Sequence, residues 1–150
     1  RTKASLHYSE TALFETDGEG HLVWTNEPFY NLTGMTLTDV EGFDWLSYIQ
    51  EVYRERRDRT IEALNNFGWE VPIPSMAMYL WMPLPHWARE KGLGDELLAA
   101  DLLDKTGIAL TPGSGFGIGG ADWLRLALVR PVDELEEAIS RLGPWWHAHT

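Results

Sequence analysis

The run TPGSGFGIGG, residues 111–120, lies between two strand-like segments, IALTP (108–112) and WLRLALV (123–129). That placement constrains the fold more than any other feature of the chain. Gly115, Gly117 and Gly120 match the G-x-G-x-x-G spacing of a dinucleotide-binding turn. Such a turn works where it opens a helix, whose N-terminal amides and dipole hold the pyrophosphate. Here a strand-like segment follows and Pro131 ends it, so the context fails. A P-loop is excluded too, because no Gly-Lys-Ser/Thr follows the glycines. The glycines are expected to let the backbone pass close to a neighbour, or to take positive φ in a long β–β connection.

The flanks extend the pattern. GDELLAADLLDKTG reads as a helix with Asp95 near its N-cap and Gly107 just past its end. PVDELEEAISRLG is amphipathic, with Val132, Leu135, Ile139 and Leu142 spaced by three and four. WEVPIP and MAMYLWMPLP are strand-like, with prolines marking edges or ends, and Met76, Met78 and Leu80 share one face. The order after residue 68 is therefore β-β-α-β-β-α. Upstream, ALFETDGEGHLVWTN predicts two strands around Asp17-Gly18. Short helical pieces follow, with Gly34 and Gly42 at C-caps, then a longer helix over 50–65 carrying Val52, Ile61 and Leu64. The class is α+β: an antiparallel or mixed sheet of about five to six strands with helices packed on it.

Charge narrows the partners. The formal net charge is −11, from 12 basic and 23 acidic residues, and the one basic run, RERRDR (54–59), is interrupted by acids. Arg54 with Asp58 and Glu55 with Arg59 are i,i+4 pairs of a solvated helix face. No nucleic-acid or membrane partner is expected. No apolar run reaches the roughly 20 residues of a membrane span. With no cysteine there is no disulfide and no thiolate nucleophile, which fits a cytoplasmic setting. The start at Arg1 is that expected of a processed or excised piece. His147 and His149 stand at i,i+2 with His86 elsewhere, but tail histidines usually stay solvated and no metal site is expected.

The stretch ADLLDKTGIALTPGSGFGIGGADWLRLALVRPVDELEEAISRL resembles the C-terminal small domain of fold-type I pyridoxal-phosphate aminotransferases, near the LL-diaminopimelate and alanine aminotransferase branch. The likeness begins in YRERRDRTIEALNNFGWEVPIPSMAMYLWMPLP and covers about 53–142. It implies that Arg125 binds the substrate's α-carboxylate. It also implies that the loop carrying Thr111, Pro112, Gly113, Gly115 and Gly117 closes over the active site. On its own chemistry, a guanidinium grips a carboxylate bidentately. Strand alternation puts Arg125 on a face with Trp123, Ala127 and Val129, where an unpaired charge is costly. The alternative is that Arg125 pairs with Asp122 and only staples the fold.

A pyridoxal-phosphate enzyme needs a Schiff-base lysine, which in the family stands in an S-x-S/T-K context. Lys3, Lys91 and Lys105 do not match it. Residues 11–50 instead resemble the first half of a PAS domain: Asn26 and Phe29, then Leu32-Thr33-Gly34, Val40 and Gly42, and Trp45-Leu46. From these two likenesses the chain is expected to be one folded unit, 1–150, built from a PAS-like piece (1–50) and an aminotransferase-like piece (51–150). That describes a recombined or engineered chimera that is not an enzyme and carries no cofactor, with self-association through an uncovered face. The alternative expectation is a small-carboxylate binding module, or an inactive aminotransferase fragment, using Arg125 and the 111–120 loop.

Overall fold

The computed structural model describes residues 10–75 and 78–149. Met76, on the strand face predicted with Met78 and Leu80, lies outside them, as does Lys3. The chain divides into two compact units, with the boundary between Val52 and Tyr53.

In the first unit, β1 (Phe14–Thr16) pairs antiparallel with β2 (Leu22–Thr25). The turn between them closes on Asp17, whose carboxylate accepts from the Glu19 and His21 amides, each at 2.9 Å. Asn26 caps α1 (Glu27–Thr33) by accepting from the Phe29 amide, and Gly34 ends that helix at φ 70°. Thr36 opens α2 (Leu37–Val40), its amide held 2.8 Å from the Asp39 carboxylate. Buried Leu22, Phe29 and Val40 form the small core of this unit.

Helix α3 (Trp45–Asn66) starts earlier than the predicted residue 50. The second unit continues with β3 (Tyr79–Pro83), α4 (His86–Glu90), α5 (Asp95–Thr106), β4 (Thr111–Pro112), β5 (Trp123–Ala127) and α6 (Val132–His147). β5 is the central strand, antiparallel to β3 on one side and to β4 on the other. Leu80, Met82, Leu124 and Leu126 point into the core with Leu98, Leu102, Ile139 and Leu142 from α5 and α6. The opposite face of β3 and β5 is partly exposed.

The α+β class holds, but the five described strands form a two-stranded and a three-stranded sheet, not one larger sheet. WEVPIP is not a strand: Pro72 and Pro74 lack the amides a ladder needs, and Arg57 caps this irregular segment by donating to the Pro74 carbonyl. IALTP pairs only at its last two residues. The order after residue 68 is thus β-α-α-β-β-α, with α4 in addition to the expected elements. Arg54 helps hold the Asp58 carboxyl down, as its i,i+4 spacing expects, while the other RERRDR cations bond differently. Arg57 holds Asp58, Arg59 reaches Glu136 on α6, and Arg56 donates to the Leu128 carbonyl.

Because the larger core lies wholly within residues 53–150, that segment expressed alone is expected to melt cooperatively. Residues 1–52 alone, whose described part has a core of three buried apolar residues, are not. Absence of a cooperative transition in 53–150 would refute this reading.

Candidate functional site

The partly exposed sheet face gathers aromatic side chains around one cation. Arg125 sits in the middle of β5, directly across from Trp81 on β3 and Thr111 on β4. Its guanidinium carbon lies 4.4 Å from the centroid of the Tyr79 ring and 4.6 Å from that of Phe116. Its Nη2 is 3.4 Å from the Thr111 hydroxyl, and its Nε is buried with no hydrogen-bond partner. Among the described residues no carboxylate pairs with Arg125, and Asp122 makes no staple with it. A guanidinium held against rings and lacking an acid keeps donors for an incoming carboxylate. Beside it, Trp81, Phe116, Gly119, Gly120 and Trp123 line a cleft of about 430 Å³.

The glycine loop reaches this face through two 3-10 turns, Gly113–Phe116 and Ile118–Gly120. Both physical reasons expected for its glycines occur. Gly117 takes φ 109°, and the backbones of Gly113 and Gly120 cross so closely that a Cβ on either would overlap the other's carbonyl oxygen. Thr111 touches Arg125, and Pro112 pairs with Leu124 on the same strand ladder. Gly115 faces open space.

Sequence reasoning missed what anchors the loop. Asp95 begins α5, yet the N-cap is Gly94, and the Asp95 carboxylate instead accepts from the Ser114 amide at 2.7 Å. Burial pushes this carboxyl up, but hydrogen bonds from Ser114 and from the backbone at the start of α5 outweigh that and hold it below its ordinary value of 3.8. A folded value below the unfolded one means the contribution is present above about pH 4 and fades as pH falls through the folded value. Asp95→Ala is therefore expected to cost about 1–3 kcal/mol at neutral pH. The loss should narrow in acid, as read by urea melts at several pH values. A pH-independent loss would refute the latch.

Two of the other histidine candidates are engaged elsewhere, His86 lying 3.3 Å from Glu90. His149 stacks on Trp87 with ring centroids 4.7 Å apart, and its Nδ1 lies 2.7 Å from the Trp145 carbonyl. Among the described residues no three His, Asp or Glu side chains cluster as metal ligands. No described helix is long and apolar enough to cross a membrane.

Comparison with known proteins identifies the family. The family model described as aminotransferase class I and II matches residues 31–142. An LL-diaminopimelate aminotransferase of Dehalococcoides mccartyi is 42% identical over 100 residues, covering 67% of this chain and 24% of that protein. Its counterpart in Nitratidesulfovibrio vulgaris is 39% identical over 103 residues, covering 69% and 25%. Among solved structures, an aromatic aminotransferase from Pyrococcus horikoshii aligns with TM-score 0.64 at 25% identity, over 75% of this chain and 29% of that one. A probable N-succinyldiaminopimelate aminotransferase from Thermus thermophilus gives TM-score 0.52 at 41% identity, over 62% and 23%. The chain spans about a quarter of the length of the curated relatives it matches.

These matches overturn two expectations, that the chain is a chimera without catalytic function and that it is no enzyme. The relatives are named as enzymes, and the family match runs unbroken through the join placed near residue 50. It takes in Leu32-Thr33-Gly34, Val40, Gly42 and Trp45-Leu46 of the PAS-like pattern, though not Asn26 and Phe29. The lack of a Schiff-base lysine in a segment equal to a quarter of the relatives carries no weight against an enzyme.

Proposed function

Because the chain belongs to the class I and II aminotransferase family, we propose that it is the part of such an enzyme that grips the substrate's α-carboxylate. Arg125 is the gripping residue and the 111–120 loop is its cover. The observation carrying this reading is the guanidinium itself, set against Tyr79 and Phe116 with a buried, unpartnered Nε and no acid beside it. A partly exposed guanidinium with a buried, unpartnered Nε and no carboxylate paired to it keeps donors for an external acid. The substrate class we propose is that in the curated relatives' name, LL-diaminopimelate, whose ends each carry an α-amino carboxylate.

Among the described residues no lysine is offered to the Arg125 face for the pyridoxal phosphate that the family resemblance implies. Lys91 lies over the Trp87 ring at 5.2 Å and Lys105 pairs with Asp104 at 2.8 Å, so neither is offered to the Arg125 face. The share of the work proposed for this chain is recognition and shielding of the carboxylate.

Calorimetry with LL-diaminopimelate and with 2-oxo acids, against their methyl esters, tests the proposal. Saturable heat from the acids alone, lost in Arg125→Ala, is expected. Equal heats in the wild type and the variant would overturn it.

The finer readings remain proposals of the same kind. The hairpin and the Asn26-capped helix support a PAS-like origin for residues 11–50. Exposed Phe116 and Ile118 favour self-association through the Arg125 face, which sedimentation at rising concentration would detect. A cytoplasmic setting accords with a chain free of cysteine.

A further inference from the structure

The cleft of about 430 Å³ beside Arg125 is not used by a grip on a carboxylate alone. Trp81, Phe116 and Trp123 supply its side-chain walls, and Gly119 and Gly120 complete the lining. None of the three rings belongs to the core: Trp81 is 38% and Phe116 52% exposed, and Trp123 is half-buried. Trp81 and Phe116 meet edge to face with centroids 5.3 Å apart, and that exposure is what remains beyond their contact. The sheet joins the cleft to the cation. Trp81 is the cross-strand partner of Arg125 and Trp123 stands two residues before it, so all three project from one face. Phe116 borders both, its ring centroid 4.6 Å from the guanidinium carbon. No charged side chain lines the cleft, and a Cβ on Gly119 would meet nothing within 4 Å, so the loop leaves room there.

We propose that this cleft receives the aromatic side chain of an acid whose carboxylate is held by Arg125, so that the site takes aromatic acids as well as LL-diaminopimelate. The inference rests on the carboxylate reading of Arg125. A carboxylate on the guanidinium brings the rest of the acid against Trp81 and Phe116, where covering exposed apolar surface is favourable. A ring placed there also gains tilted and edge contacts with other rings, which an aliphatic chain does not. A small acid without the side chain keeps only the grip. A neutral aromatic compound keeps only the cleft.

The test is titration of the isotope-labelled 150-residue chain with 3-phenylpropionate, propionate and phenethyl alcohol, followed by amide chemical shifts. 3-Phenylpropionate is expected to bind about tenfold more tightly than either of the others, with saturable shifts centred on residues 81, 116–120 and 123. Trp81→Ala should bring its preference over propionate down to about twofold. Equal affinity for the two acids, both lost in Arg125→Ala, would overturn the cleft and leave the carboxylate grip standing. Equal affinity for 3-phenylpropionate and the alcohol, unmoved by Arg125→Ala, would overturn the grip and this inference with it, as would no binding of either acid. Shifts at residues 81, 116 and 123 that follow protein concentration and not 3-phenylpropionate would assign the cleft to a second copy and overturn the proposal. Should Trp81→Ala fold poorly, the three-probe comparison on the unaltered chain decides alone.

Discussion

Gly120→Ala is expected to destabilise the protein by about 3 kcal/mol or more, because the new methyl group has nowhere to go. It would overlap the Gly113 carbonyl oxygen, and the obstacle is main chain, which cannot rotate aside. Gly113→Ala meets the same crossing from the other side, with the Trp123 carbonyl oxygen a further 2.8 Å contact. Gly115→Ala and Gly119→Ala are the controls: a Cβ at either finds nothing within 4 Å, and both should stay within about 0.5 kcal/mol of the parent. Urea melts of the four variants separate a structural crossing from a generic need for flexibility. If all four glycines lose stability equally, the crossing is not what the loop requires.

Arg125→Ala has its large effect on affinity. Losing a charge-assisted, bidentate grip should weaken carboxylate binding by about tenfold to a hundredfold. Arg125→Lys should recover only part of this, since an ammonium lacks the planar fork. Stability should fall by no more than about 1 kcal/mol. The ring contacts with Tyr79 and Phe116 are lost, but so is the cost of a buried Nε with no partner. A structural staple predicts the reverse, with stability falling and binding unmoved. Measuring both quantities on the same two variants decides between the roles.

Elements whose signals are local were legible in the sequence. Helix α5 ends at Gly107 with φ 72°, as its C-cap glycine foretold, and α1 runs from the Asn26 cap to Gly34. Where tertiary packing outweighs local chemistry, the sequence misled. Helix α6 runs through Gly143 and Pro144 to His147 because Trp145 and Trp146 are buried beyond the break. Trp146 stacks on Trp69, and Trp145 donates to Asp101 at 2.7 Å. Ile108 and Leu110 read as strand because they are apolar, yet they fill the core without joining the ladder. The candidate site shows the same division. Arg125 could be singled out from its strand, whereas its neighbours Tyr79 and Phe116, and the Asp95 anchor of the loop, arrive from separate elements. No spacing rule links residues so far apart along the chain.

The brevity of β4 bears on how this chain behaves at high concentration. The three-stranded sheet leaves two outer rows of backbone groups, along β3 and β4. One is two residues long and includes Pro112, and the other ends at Pro83. Proline and short length are the features that stop a sheet margin from templating a neighbouring chain into a fibril. The margins of this three-stranded sheet are thereby poor templates for ribbon growth.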